Sequence, residues 1–152
     1  MLLLLGDGPL KNDIEKKCKE FSIAEKVKFI GNIREVEEYY SIMDVFLFPS
    51  LYEGLGMTLI EAQVNGLTCF ASDNVPLEAK VNLNFEFISL TKSATYWSNE
   101  IVRNKKHINL INSRICNQSS FLKSKYDIRF EANNLLQKYN DMVRDKIYKN
   151  NY

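Results

Sequence analysis

Cysteine, histidine and long hydrophobic runs are all scarce in this sequence, and each scarcity closes off a class of function. Cys18, Cys69 and Cys116 are odd in number and none stands at metal-ligand spacing from another. Reduced thiols in a cytoplasmic protein are therefore expected, not a disulfide framework or a zinc site. His107 is the single histidine; it lies in a lysine-rich stretch and reads as surface, so no histidine chemistry is expected of it. The opening Met1-Leu2-Leu3-Leu4-Leu5 is too short for a membrane span or a signal sequence and has no basic leader; it reads as a buried strand. Charge of one sign is missing too: 20 Lys and Arg face 19 Asp and Glu, a net of +1. A nucleic-acid partner would call for a clustered basic excess, so none is expected. The stretch from Lys138 to Lys149 is locally basic but interrupted by Asp141 and Asp145. It reads as a solvated helix face, with peripheral contact to an anionic membrane surface as the alternative.

What remains is an ordinary globular composition. The 152 residues are 45% hydrophobic and 26% charged, enough for one domain with one core. Short apolar runs alternate with amphipathic stretches. Leu2 to Leu5, Val27 to Ile30, Val45 to Phe48, Thr68 to Ala71 and Phe85 to Ser89 read as strands. Between them, Leu10 to Phe21 carries Leu10, Ile14, Cys18 and Phe21 as one buried stripe. Val36, Tyr39, Tyr40 and Met43 mark a second helix, and Met57 to Val64 a third, stopped by Asn65-Gly66. Beyond them, Lys92 to Arg103, a stretch near Leu110 to Leu122 and Ile128 to about Ile147 read as helical. The alternation predicts a Rossmann-like parallel α/β sheet flanked by helices. Ligands of such sheets sit at the carboxyl ends of the strands, which singles out the turns Gly6 to Pro9, Gly31-Asn32, Pro49 to Gly56 and Ala71 to Glu78.

The loop and helix from Pro49 to Ala62 carry the chemistry. A strand ends, Gly54 and Gly56 let the backbone approach a ligand closely, and a helix begins whose free N–H groups and dipole suit a phosphate. Glu61, about one turn into that helix, is placed to accept hydrogen bonds from ribose hydroxyls, and Glu53, before the glycines, to grip hydroxyls of a sugar. A ligand with hydroxyls at both ends and phosphates between fits this order. On spacing alone, an ordinary tight turn followed by a helix acid favoured by the dipole also fits.

The seven residues between Glu53 and Glu61 make a Glu-x7-Glu pattern that resembles the motif of retaining glycosyltransferases of the GT-B fold, family 4 type. Gly6-Asp7-Gly8-Pro9 resembles the family's Gly-x-Gly-Pro turn, and Val27-Lys28-Phe29-Ile30-Gly31 its Val-x-Phe-x-Gly strand. Asp44 to Ser50, Ala71-Ser72 and Pro76-x-Glu78 resemble its further segments, so the likeness spans about Leu2 to Leu90. It implies the C-terminal, donor-binding domain of such an enzyme over residues 1–152, without the N-terminal acceptor domain. It further implies a nucleoside diphosphate sugar, a UDP-sugar foremost, as donor substrate, and neither a tightly bound cofactor nor a metal. Glu53, the catalytic candidate, would contact the donor sugar. The backbone from Gly54 through Leu55, Gly56 and Met57 to Thr58, with Leu59 beside it, would hold sugar and diphosphate. Glu61 would bind the ribose, Gly8 would border the donor, and Gly31, Asn32 and Ile33 would lie close to the base. The implied reaction retains anomeric configuration and builds a surface polysaccharide, lipopolysaccharide or glycolipid. The abundance of Lys, Asn and Ile suggests an AT-rich bacterial genome, and with it capsule or exopolysaccharide assembly, by a cytoplasmic protein that is at most peripheral at the inner face of the membrane. The acceptor domain would come in cis or from a partner subunit, and the isolated chain would be inactive.

Several positions depart from the family. Leu67 stands for its usual proline and Asn74-Val75 for a Gly-Gly. The Arg/Lys pair that neutralises the diphosphate has no counterpart; Arg34 and Lys80 are substitutes by position but read as surface charge. Tyr39, Tyr40, Met43 and Phe46 have the spacing of core, and Tyr96-Trp97 either covers apolar surface or faces another domain. Two other functions compete: a non-catalytic nucleotide-sugar-binding or assembly module with a partner subunit, and a fragment of a nucleotide-sugar 2-epimerase.

Overall fold

The computed structural model describes residues 1–105, 121–122 and 125–149. His107, Cys116 and most of the stretch near Leu110 to Leu122 lie outside them. The architecture is α/β with parallel sheets and flanking helices, and it divides into two compact units, Met1–Tyr39 and Tyr40–Tyr152.

In the first unit, β1 (Leu2–Leu5) and β2 (Val27–Gly31) pair in parallel and are linked by α1 (Lys11–Glu20) and a 3-10 turn at Ala24–Lys26. The register runs from Leu2 opposite Val27 to Leu5 opposite Gly31, with an irregularity after Leu4. The Gly6 N–H then donates to the Gly31 carbonyl at 2.8 Å, tying the two strand ends together. Two expectations are corrected here. Leu2 is exposed and Leu3 to Leu5 only half-buried, because β1 has a single strand neighbour in a two-stranded sheet. The apolar stripe of α1 buries only Cys18; Leu10 and Phe21 are 64% and 71% exposed. Both are cap residues flanking the helix, so they fall off the stripe that their spacing suggests.

In the second unit, β3 (Val45–Phe48), β4 (Thr68–Ser72) and β5 (Phe85–Ile88) form a parallel sheet in the order β3-β4-β5. All five residues of the central β4 are buried, as expected for a parallel strand paired on both edges and covered on both faces. Between β3 and β4 runs α3 (Met57–Val64), which buries Leu59, Ile60, Ala62 and Gln63. It stops where Gly66 turns to φ 76° and the Leu67 N–H closes on the Ala62 carbonyl at 3.1 Å. Ahead of the sheet lies α2 (Val36–Ile42), whose Tyr40 is buried, its ring edge-on to Phe46 at 5.7 Å. Full burial of Leu59, Phe70 and Phe85 contributes about 2 kcal/mol each.

Gln63 is a polar residue wholly inside this core, and every polar atom of its side chain is used. Its amide nitrogen donates to the Leu59 and Ala79 carbonyls at 3.0 and 2.7 Å, and its oxygen accepts from the Val81 and Asn82 amides at 2.9 and 3.1 Å. Asn82 returns a bond to the Gln63 carbonyl at 2.7 Å. The segment after β4, including the 3-10 turn Leu77–Ala79, is thereby fastened to α3.

The two remaining described helices are α4 (Ala94–Lys105) and α5 (Ile128–Lys149). Trp97 of α4 donates to the Ser89 carbonyl just beyond β5 at 3.3 Å, so it covers the end of that strand. On α5, Leu135, Leu136, Tyr139, Met142 and Val143 are all more than half exposed. Among the described residues, no helix is long and apolar enough to cross a membrane.

Candidate functional site

The chain leaves β3 at Phe48 and enters α3 at Met57, and the intervening loop is shaped by one residue and held by three. Gly56 is the N-cap of α3 with φ 75° and ψ 58°, a left-handed conformation that side-chain-bearing residues seldom adopt. A Cβ there would meet only ordinary contacts, Phe48 at 3.5 Å and Leu59 at 3.7 Å. Backbone angle, not crowding, is what calls for glycine. No side chain caps α3. The helical ladder starts with the Leu59 and Ile60 amides on the Gly56 carbonyl, at 2.9 and 3.3 Å. The amides of Met57 and Thr58 precede it, at the positive end of the helix dipole.

The loop is anchored from the end of β4. The buried Ser72 hydroxyl donates to the Ser50 carbonyl, and the Asn74 side chain donates to the Leu51 carbonyl at 3.0 Å. Ser50 in turn lies 2.8 Å from Glu53 Oε1 and 3.1 Å from the Tyr52 carbonyl, its single proton serving both. Glu53 is thus half-buried and oriented from within its own loop. Glu61 is exposed on α3. Its Oε2 accepts from the Tyr40 hydroxyl at 3.3 Å, and the same hydroxyl is 3.3 Å from the Thr58 carbonyl. Burial, and then the charge of Glu61, push the ionisation of Tyr40 well above the ordinary phenol range, so it stays a donor. Burial does the same to the Cys69 thiol in β4 and keeps it unreactive.

The candidate residues therefore fall into two groups. Gly8, Gly31 and Asn32 belong to the first unit: Gly8 is exposed and its N–H is taken by Asp7 Oδ1 at 2.9 Å, Gly31 ends β2 at φ 78°, and Asn32 is exposed. Glu53, Gly54, Leu55, Gly56, Met57, Thr58, Leu59 and Glu61 belong to the second. Within it, Gly54, Met57 and Thr58 are exposed and Leu55 is half-buried. Leu59 is fully buried with its N–H on Gly56, so it seats the helix in the core. Of the basic substitutes, Lys80 places its ammonium 5.9 Å from the Phe85 ring centroid, and Arg34 is exposed in the first unit. Among the described residues no group of three or more His, Cys, Asp or Glu side chains is gathered for a metal. The supporting hydroxyls of Tyr40, Ser50 and Ser72 and the amides of Gln63 and Asn74 were not singled out from the sequence. The one available signal was chemical: a hydroxyl or amide placed where the pattern asks only for bulk.

The family model described as glycosyl transferases group 1 matches residues 1–106. The chain belongs to the group 1 glycosyltransferases. EpsF of Bacillus subtilis is 37% identical to it over 103 residues, covering 67% of this chain and 27% of that protein. The Vi polysaccharide biosynthesis protein VipC/TviE of Salmonella typhi is 32% identical over 133 residues, 83% of this chain and 22% of its own. This group 1 glycosyltransferase chain thus spans about a quarter of the length of those relatives. Among solved structures, a sucrose-phosphate synthase from Thermosynechococcus elongatus superposes with a TM-score of 0.71 at 25% identity, over 95% of this chain and 39% of that one. WaaG, a glycosyltransferase involved in lipopolysaccharide biosynthesis, superposes with a TM-score of 0.61 at 20% identity, over 79% and 32%. Both likenesses bear out the α/β class with parallel sheets and flanking helices.

Proposed function

We propose that this chain is the donor-binding part of a retaining glycosyltransferase of the family 4 type. It moves a sugar from a nucleoside diphosphate sugar to a polysaccharide or glycolipid acceptor in bacterial surface-polysaccharide assembly. The observation that carries this reading is a helix begun in left-handed geometry at Gly56, uncapped by any side chain, with one carboxylate ahead of it and one on it. The Met57 and Thr58 amides and the dipole of α3 receive the diphosphate, Glu61 the ribose and Glu53 the sugar. Negative charge grows on the leaving diphosphate as the glycosidic bond breaks. Fixed N–H groups that need no reorganisation stabilise that charge, and the oriented carboxylates hold the sugar for front-face attack by the acceptor hydroxyl.

Several likenesses support the finer parts of the proposal. The Salmonella relative is named for Vi polysaccharide biosynthesis, and WaaG acts in lipopolysaccharide biosynthesis. A pneumococcal O-GlcNAc transferase solved with UDP and GlcNAc shares the fold at a TM-score of 0.64, in keeping with a UDP-sugar. Acceptor recognition is assigned to further residues in cis or to a partner subunit, at the cytoplasmic face of the membrane. Calorimetric titration with UDP, GDP and their common sugars tests the donor site. Glu61→Ala should weaken the preferred nucleotide about tenfold, the loss of a charge-assisted hydrogen bond, while Glu53→Ala should remove only the extra affinity contributed by the sugar. Nucleotide affinity unchanged by Glu61→Ala would refute the assignment.

A further inference from the structure

A tyrosine buried on an apolar helix face fills space no better than phenylalanine, so its hydroxyl is explained by what it bonds. Tyr40 is 2% exposed, and its hydroxyl reaches out of the core to α3. There it meets two acceptors, the carbonyl of Thr58 and Oε2 of Glu61, each at 3.3 Å. These belong to the second and fifth residues of the helix. The start of α3 and the carboxylate one turn on are thus referred to one fixed point. Glu61 is exposed, and an exposed glutamate unheld by a partner spreads over many rotamers and loses that freedom on binding a ligand.

We propose that Tyr40 is a positioning residue for donor binding: its buried hydroxyl holds the Glu61 carboxylate by one oxygen, leaving the other turned to the ribose hydroxyls. The inference rests on the donor-site reading above. Its physical content is preorganisation. The rotamer freedom of Glu61 is lost on folding, so it no longer opposes binding. The ring of Tyr40 anchors this arrangement through the core, edge-on to Phe46, which is why a flexible donor at the surface would not serve equally. Because only the ribose end of the ligand meets Glu61, the effect of the hydroxyl is confined to ligands that carry ribose hydroxyls.

The test compares UDP with 2′,3′-dideoxy-UDP, and GDP with its dideoxy counterpart, by titration calorimetry on the full chain. The variants are Tyr40→Phe, Glu61→Ala and the double variant. Tyr40→Phe keeps the ring and the packing, and circular dichroism checks that each variant is folded. The parent chain should prefer the ribonucleotide about tenfold and Glu61→Ala should abolish the preference. Tyr40→Phe should reduce it roughly threefold to fivefold and leave affinity for the dideoxy form unchanged. In the Glu61→Ala background Tyr40→Phe should change nothing further, since the hydroxyl acts through the carboxylate. A preference lost in Glu61→Ala but intact in Tyr40→Phe overturns the positioning role and leaves the donor site standing. Equal weakening of both nucleotide forms in Tyr40→Phe overturns it as well, because that is the mark of a merely structural residue. Failure of the parent chain to prefer either ribonucleotide removes the donor-site reading, and this inference with it.

Discussion

Gly56 and Gly54 lie two residues apart in one loop and differ in what they are asked to do. Gly56 sits at φ 75°, whereas Gly54 has no positive φ and nothing within 4 Å of where a Cβ would project. Gly56→Ala is therefore expected to destabilise the chain by about 1–2 kcal/mol and to disturb the first turn of α3. Gly54→Ala should be close to neutral for folding. Urea denaturation of the two variants side by side checks this; equal stabilities would mean that the left-handed start of α3 carries no strain. The same residues show what a sequence discloses at this scale. Two glutamates with seven residues between them, two of those glycines, are legible because their spacing is itself the signal. The tie from Tyr40 to Glu61 is not, because Tyr39, Tyr40 and Met43 recur at core spacing and a pattern does not give the direction of a hydroxyl. Ser50 and Ser72 meet only because β3 and β4 lie side by side, which no local window of sequence contains.

Among the elements, the strands were read from their apolar runs to within a residue, since a buried parallel strand is written as continuous hydrophobicity. Helix ends were less legible. The reading from Lys92 starts α4 too early. Ser93 accepts the Tyr96 amide at 3.2 Å and caps the helix, which begins at Ala94. The turns at Ala24–Lys26 and Leu77–Ala79 went unseen, being too short to show a period. The fastening of α3 is the feature whose loss matters most for stability. Replacing Gln63 by leucine keeps bulk but removes the side-chain partners of the Ala79 carbonyl and the Val81 amide, and Ala79 is itself fully buried. At roughly 1–3 kcal/mol for each stranded group, Gln63→Leu should lower stability by more than about 3 kcal/mol. Asn65→Ala, which removes one bond to the Glu61 carbonyl at an exposed site, should cost less than about 1 kcal/mol. Chemical denaturation separates the two, and a mild Gln63→Leu would mean that the segment after β4 repacks without it.

Taken as a whole, the chain is unevenly secured. The sheet of the second unit has a central strand paired on both edges and buried at every position. The first unit has two strands paired to each other and half-exposed. Two-stranded sheets are marginal on their own, and local openings need far less free energy than global unfolding. Native-state hydrogen exchange should therefore find the slowest amides in β4, with those of β1 and β2 exchanging faster by orders of magnitude. Uniform protection across the five strands would contradict this picture. Family membership and the α/β class were legible in the sequence because both rest on the order of motifs. The division into two units was not, since one alternation of strands and helices runs through both.

The uncapped start of α3 has one further consequence. A seat for an anion built from main-chain amides places no demand on the identity of the side chains around it. Met57 and Thr58 are exposed, so substitutions there are expected to be tolerated as long as Gly56 keeps its turn. On the donor-site reading proposed above, such a loop would accommodate ligands of different shape while keeping its grip on their shared diphosphate, and variation of Met57 and Thr58 is where altered ligand preference would be sought.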